Sequence, residues 1–315
     1  MRENLYVSSS PHLRAAKTTR GIMLDVILSL LPALVAGCVI YGMGALLVVG
    51  FCVLSCVLLE FVTRLILRRP NTIGDLSAVV TGLLLGLSLP VSMGQHLHLT
   101  LVGSFTAIVV VKQMFGGLGN NFVNPALAGR IVMLVSFPSQ MTDWSSILDK
   151  ALDGVTSATP LVAENGAYSM ADLLLGRSGG CIGETCVPAL LLGFAYLLIR
   201  RVIKPVIPVC YVGSFALLTF LLSFAMPVNV AAQLFSGGLL LGAVYMATDY
   251  VTSPTGTFGK VIYGVGCGVL TALMRLFAAM PEGVSFAILL MNIATPLIER
   301  IPSPEKWGRK GGRVK

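Results

Sequence analysis

Three hydroxyl side chains stand close together in DGVTSATPLV at residues 153–162: Thr156, Ser157 and Thr159, with Pro160 behind them. In an ordinary turn such a cluster hydrogen-bonds its own backbone; in a reactive loop, one of the hydroxyls is an ester acceptor. A second cluster, FGGLGNNFVNPALAGR at 115–130, sets Asn120, Asn121 and Asn124 ahead of Pro125, with Arg130 beyond. One Asn serves as a helix N-cap with Pro at its favoured early position; three amides also suit a bound polar ligand. A third, ATDYVTSPTGTFGK at 247–260, gathers Asp249, Thr252, Ser253 and Thr255, which either cap a helix or line an ion or cofactor pocket. Asp25 and Glu60 interrupt apolar runs, where ionisable groups are costly and functional by default. Local readings compete: Glu60 stands four residues before Arg64, the spacing of a helical ion pair or of snorkelling side chains. Asp25 falls where a first helical turn is expected, so it complements the helix N-terminus. Asp25, Glu60 and Asp249 are accordingly the candidates for an ion pathway.

No residue set for hydrolytic or metal catalysis accompanies these clusters. The histidines are His12, His96 and His98, and the HLH pair sits at a span boundary, where it reads as interfacial rather than as a metal site. The Gly-rich stretch at 115–130 lacks the Walker lysine and the strand context of a nucleotide loop. Five cysteines, Cys38, Cys52, Cys56, Cys210 and Cys267, lie in apolar runs and read as small core residues.

The elements that must position these residues are apolar. Of 315 residues, 55% are hydrophobic and 11% charged, and the mean hydropathy is +0.86. Soluble domains carry roughly 25% charged residues, so the surrounding solvent is lipid. Apolar runs fall near 21–40, 44–67, 76–89, 97–115, 122–137, 186–203, 206–225, 232–248, 260–279 and 284–298. The run 76–89, stopped by Pro90, is shorter than the roughly 20 residues of a full span. This predicts an all-α integral membrane protein of about ten spans, some of them discontinuous. The polar, basic first 20 residues have no cleavage site behind them, so no removable signal is expected.

Charge placement sets the orientation. With the N-terminus cytoplasmic, all but four of the 22 basic residues fall on cytoplasmic segments. The four are Lys150 and Arg177 outside and Arg130 and Arg275 within spans, whereas Asp143, Asp149, Asp153, Glu164, Asp172, Glu184 and Glu282 fall outside. Both termini are then cytoplasmic. The expected organisation is a cytoplasmic segment 1–20, a first membrane half 21–137, an extracytoplasmic loop 138–185, a second half 186–299 and a basic cytoplasmic tail 300–315. This asymmetry accounts for the net charge of +8, and no nucleic-acid partner is implied. VVTGLLLGLSLP at 79–90 is echoed by LFSGGLLLGAVYM at 234–246, each the third run of five. Two five-span halves in series must be inverted relative to each other, the transporter-type architecture in which sites form between broken helices.

RPNTIGDLSAVVTGLLLGLSLP, FGGLGNNFVNPALAGR, DGVTSATPL, the IGET at 182–185 and MATDYVTSPTG, in this order, resemble the RnfD family of the Rnf electron transport complex. That family is homologous to NqrB of the sodium-pumping NADH:quinone oxidoreductase. The resemblance runs from about residue 14 to the last span. It implies one component of a bacterial or archaeal membrane complex that passes electrons between ferredoxin and NAD and moves Na⁺ or H⁺ (not a catalyst alone). It implies other membrane and peripheral subunits as partners, and a covalent FMN, attached by a separate flavin transferase. The family's attachment motif, Ser/Thr-Gly-Ala-Thr, matches Thr156, Ser157, Ala158 and Thr159, with Thr159 the phosphoester acceptor and Ser157 in place of Gly. Relatives also hold a noncovalent riboflavin near an N-x-x-N pattern, matched by Asn121 and Asn124. Cys181 and Cys186 flank the IGET where serines stand in relatives; on an oxidising outer face a disulfide between them is an alternative. Two other functional readings stand beside this one. A passive channel or secondary transporter with inverted repeats needs no redox centre. The quinone-reductase component itself is generally longer at its N-terminus than the 20-residue lead here.

Overall fold

The computed structural model describes residues 18–144, 170–176, 179–184, 186–224, 229–278 and 282–301. Among these residues the secondary structure is helical throughout, and every one of the ten apolar runs carries helix. Thr18 opens α1 (Thr19–Tyr41), its hydroxyl accepting from Gly21 N at 3.2 Å, as expected of an N-cap. Gly42, at φ +72°, turns the chain directly into α2 (Met43–Ile66); the left-handed conformation favours a residue without Cβ. Further along come α3 (Ser77–Leu87), α4 (Leu97–Gln113, wound as π-helix from Thr106) and α5 (Pro125–Ser136). The second part contains α6 (Val187–Ile199), α7 (Val206–Ser223), α8 (Val230–Phe235), α9 (Leu239–Leu241 continuing as the π-helix Gly242–Met246), α10 (Thr257–Phe277) and α11 (Gly283–Glu299).

Four helices, α1, α2, α7 and α10, are long and apolar enough to cross a bilayer; α3, α4, α5, α6 and α11 are shorter apolar helices. Their outward faces carry large apolar side chains such as Val39, Met43, Ile66, Ile199 and Phe224, each more than 70% exposed. A continuous exposed apolar surface of this extent is untenable in water and is the natural boundary with lipid. The protein is therefore a multi-pass membrane protein.

The packing repeats along the chain. α2 lies on α4 as α7 lies on α10, α4 lies on α5 as α10 lies on α11, and α1 crosses α6. Glycines set the closest approaches. A Cβ at Gly82 of α3 would lie 2.6 Å from Val53 Cα of α2, and one at Gly86 would lie 2.8 Å from Val49 Cα. Such small-residue contacts let helices meet backbone to backbone where no hydrophobic force drives them together. The echoed string behaves differently in the second part: Gly242 of α9 faces Val284 and Ile288 of α11. The two copies of the string thus pack against different partners.

Two helices stop short inside the protein. At 11 residues, α3 is about 17 Å long, little more than half the roughly 30 Å hydrocarbon layer. At and just past its end, Leu87 O and Leu89 O accept from Gly183 N (2.7 Å) and Ile182 N (3.0 Å), so a distant loop closes the helix. The eighth run is broken at 236–238, between α8 and α9. Arg275 of α10 fills the gap, donating to Gln233 O at 2.7 Å and Ser236 O at 3.3 Å. Cations belong at a helix C-terminus, and here the guanidinium also lies 5.3 Å from the Phe215 ring centroid.

Close packing at Gly82 yields a test. Gly82→Ala forces a methyl onto the α2 backbone and is expected to cost about 1–3 kcal/mol, seen as a lowered unfolding midpoint of the detergent-solubilised protein. Gly50→Ala, whose added Cβ meets nothing within 4 Å, is expected to leave the midpoint unchanged or slightly higher.

Candidate functional site

Three of the polar residues singled out in the sequence, Asn121, Asn124 and Asp249, converge on one slot between the two parts of the chain. Its wall takes Ile22, Met23 and Val26 from α1, Ser77, Thr81 and Leu84 from α3, Lys112 from α4, and Asn121 and Asn124 from the turn before α5. From the other side come Leu197, Val202, Ile203, Val244, Tyr245, Thr248, Asp249 and Tyr250. An apolar slot with a few convergent polar groups is the usual form of a small-molecule site. At about 100 Å³ the slot is narrower than typical pockets of about 300 Å³ or more. It shares Val202, Ile203, Thr248 and Tyr250 with an adjoining cleft of about 520 Å³.

Asn124 resolves the choice between capping and contact by doing both. Its Oδ1 accepts from Ala126 N (3.0 Å) and Leu127 N (3.4 Å), capping α5, while its Nδ2 donates to Met246 O at the end of α9 (3.1 Å). One amide thereby ties an N-terminus of the first part to a C-terminus of the second. Only one of its amide hydrogens is left over. Asn121 donates from Nδ2 to Val123 O at 3.0 Å. Asp249 is reached by Val251 N and Thr252 Oγ1, both at 3.4 Å. Burial pushes its carboxyl above the usual carboxylate range, against the opposing hydrogen bonds from Val251, Thr252 and Asn121. Thr255 serves elsewhere, its N and Oγ1 both donating to Glu299 Oε1 at 3.1 Å.

Glu60 corrects the sequence expectation. Arg64 does not pair with it; the Arg64 guanidinium donates to Pro70 O at 3.1 Å. Glu60 is fully buried and accepts from Lys112 Nζ (2.8 Å), Gln113 Nε2 (3.0 Å) and Thr72 Oγ1 (2.9 Å). Neighbouring Lys112 and Gln113 both reach one carboxylate from the π-helical end of α4, a form frequent at functional sites. Lys112 also donates to Ser77 Oγ at 2.6 Å, and Ser77 in turn to Asp75 Oδ1 at 2.5 Å. The buried acid is thereby connected to the slot wall. Asp25 is likewise displaced from its expected role. α1 begins at Thr19, so Asp25 lies past the first turn. It accepts instead from Tyr196 OH (3.0 Å) and Arg200 Nε (3.1 Å) of α6 and the residue after it.

Arg130 finds partners that the sequence marked only as an outer acid cluster. It is 3% exposed and donates to Glu184 Oε1 at 2.6 Å, to Glu282 Oε2, and to Cys181 Sγ at 3.3 Å. Glu184 also stands at the start of α9, where a Cβ on Gly238 would lie 2.5 Å from its Oε1. Cys181 and Cys186 are free thiols, Cys181 being buried beside Arg130, so the disulfide alternative falls. Only the spacing of lone charges in apolar runs hinted at this cluster. Thr156, Ser157, Ala158 and Thr159 lie outside the described residues. Among the described residues no group of His, Cys, Asp and Glu is placed to hold a metal.

A helical membrane protein with interrupted helices and an apolar slot bearing a few polar groups between its two parts is the class that this geometry defines. The profile of the NQR2, RnfD, RnfE family matches residues 6–308, and the chain belongs to that family. It is 45% identical over 312 residues to the D subunit of the Na(+)-translocating ferredoxin:NAD(+) oxidoreductase complex of Acetobacterium woodii, covering 97% of this chain and 96% of that one. It is 38% identical over 328 residues to the D subunit of the proton-translocating ferredoxin:NAD(+) oxidoreductase complex of Clostridium ljungdahlii, covering 98% of each. A third relative, 33% identical over 347 residues, is the D subunit of the ion-translocating oxidoreductase complex of Actinobacillus succinogenes, with 96% and 97% covered.

The Glu60–Lys112 pair predicts a thermodynamic cycle. Breaking a buried pair from one side strands a charge, at a cost of about 3–5 kcal/mol. Glu60→Gln and Lys112→Met are each expected to lower the unfolding midpoint in detergent. The double variant is expected to recover most of the loss.

Proposed function

We propose that the protein is the D subunit of an Rnf-type complex, an oxidoreductase that passes electrons between ferredoxin and NAD while moving Na⁺ or H⁺. The observation that carries the reading is near-complete coverage of D-subunit relatives at up to 45% identity. That the relatives carry the names of both ions fits one scaffold serving either. Partners are then the other membrane and peripheral subunits and a flavin transferase. The quinone-reductase alternative is less favoured, because the relatives named above are all D subunits of the ion-translocating complexes. A channel without a redox centre has the broken helices in its favour but leaves the flavin motif without a use.

Within this function we assign ten spans in two inverted five-helix halves, 21–137 and 186–299, with both termini in the cytoplasm of a bacterial-type membrane and 138–185 outside. The repeated pairings of α2 with α4 and α7 with α10 support the halves, and the charge asymmetry supports the orientation. The backbone of 182–183 closing α3 next to Leu87 and Leu89 suits a loop that dips inward from the outer face.

The loop is assigned a covalent FMN on Thr159, within the motif Thr156, Ser157, Ala158, Thr159. FMN supplies one- and two-electron redox chemistry, and the protein supplies position and tuning. A second, noncovalent flavin such as riboflavin suits the slot by its lining: apolar walls from both halves, the spare amide hydrogen of Asn124 as donor, and the Tyr245 and Thr248 hydroxyl oxygens as acceptors, their hydrogens being donated to Ser29 O and Val244 O. There Lys112, held between Glu60 and Ser77, places a fixed positive charge on the wall. Glu60, Asp249 and Asp25 remain the candidate ion-path groups, and Glu60 and Asp249 are the two that adjoin the slot.

Coexpression with the flavin transferase and a denaturing gel under ultraviolet light test the attachment. The wild-type band is expected to fluoresce and the Thr159→Ala band to be dark. A dark wild-type band, or a fluorescent Thr159→Ala band, overturns the assignment.

A further inference from the structure

The cleft adjoining the slot has a chemistry of its own. Arg201, Lys204 and Lys260 line it, from the turn between α6 and α7 and from the first turn of α10, with no Asp or Glu among the described lining residues. Lys204 and Lys260 thus bring two positive charges to one cleft from different elements. The nearby acids are committed elsewhere: Asp249 to Val251 and Thr252, and Glu299 to Thr255. The start of α10 adds to the positive field, since Gly256 offers no side-chain cap and no acid stands in the first turn. A lysine at that end of a helix opposes the helix dipole unless an anion lies between. Ser253, 8% exposed, adds a hydroxyl to the same cleft lining.

We propose that Lys204, Lys260 and the Ser253 hydroxyl, with Arg201 at the rim, form a phosphate-binding subsite, taking the phosphate of an amphiphile whose apolar or ring portion enters the adjoining slot. Two lysines and a hydroxyl lining one cleft match the acceptor oxygens of a phosphate mono- or diester by charge-assisted hydrogen bonds. The shared wall at Val202, Ile203, Thr248 and Tyr250 gives the rest of the molecule its path. Two sources carry this chemistry. One is an anionic phospholipid, for which basic pockets between spans on the cytoplasmic side are suited. The other is a phosphorylated ring cofactor such as FMN, which alone rests on the flavin reading of the slot.

Native mass spectrometry of the full-length chain in detergent separates these, in a Thr159→Ala background so that only noncovalent flavin is counted. The probes are phosphatidylglycerol against phosphatidylcholine, and FMN against riboflavin. At least tenfold preferential retention of phosphatidylglycerol, lost in Lys204→Gln/Lys260→Gln and kept in Arg20→Gln, establishes the lipid form. The same pattern for FMN over riboflavin establishes the cofactor form. The proposal is overturned if neither anion is preferred, or if the double variant retains the preferred anion as fully as the parent. Intact folding of the double variant is read from its unfolding midpoint, and the single variants Lys204→Gln and Lys260→Gln replace it should that midpoint fall.

Discussion

An interrupted helix in a hydrocarbon layer leaves peptide groups that water cannot reach, and each one left unpaired costs several kcal/mol. The arrangement of this protein follows from how those groups are paired. The carbonyls of Leu87 and Leu89, at and just past the end of α3, are taken by the backbone N–H groups of Gly183 and Ile182. The carbonyls at the end of α8 are taken by Arg275. The final carbonyl of α9 and the first N–H groups of α5 share the one amide of Asn124. For the carbonyls of α3, α8 and α9 the closing group comes from an element far away in sequence. Breaking the helices therefore binds the two parts of the chain together.

Buried charge follows the same rule. Glu60 has Lys112, Gln113 and Thr72; Arg130 has Glu184 and Glu282. Such pairs are poor sources of net stability, since desolvation offsets most of the Coulomb gain. Their value is geometric. Arg130 joins α5 to the segment before α6 and to the turn before α11, and Glu184 abuts the start of α9. A charge that can be satisfied in only one arrangement specifies that arrangement.

The helical runs were legible in the sequence because lipid imposes a one-sided rule: every spanning stretch must be apolar, and each of the ten runs carries helix. The short α3 was legible too, through Pro90 and the length of its run. Partners were not. Arg64 lies one helical turn from Glu60, yet Lys112, 52 residues away, holds the carboxylate, because a spacing rule sees only neighbours within a helix. Asp25 was misplaced because α1 starts at Thr19, ahead of its apolar run. Asn124 was read as cap or contact, and a planar amide with an acceptor on one side and donors on the other fills both roles. The basic cleft that includes Ser253 left no local signal, since Lys204 and Lys260 line one cleft only in the folded chain.

The two ends of the molecule differ in how their charge is balanced. Around Arg130 and Arg275, two guanidinium groups face two carboxylates and the carbonyls of a broken helix, so the formal charge there sums to zero. In the cleft beside the slot, Arg201, Lys204 and Lys260 share a lining in which no acid stands among the described residues. Among the described residues, neutrality at the first end is reached with protein groups, whereas the cleft lining carries cations without an acid. A region of net positive potential walled by apolar side chains attracts anions and holds them more strongly than water does. Receptivity therefore belongs to the end where Asn121, Asn124 and Asp249 meet, and the Arg130 cluster closes the opposite end.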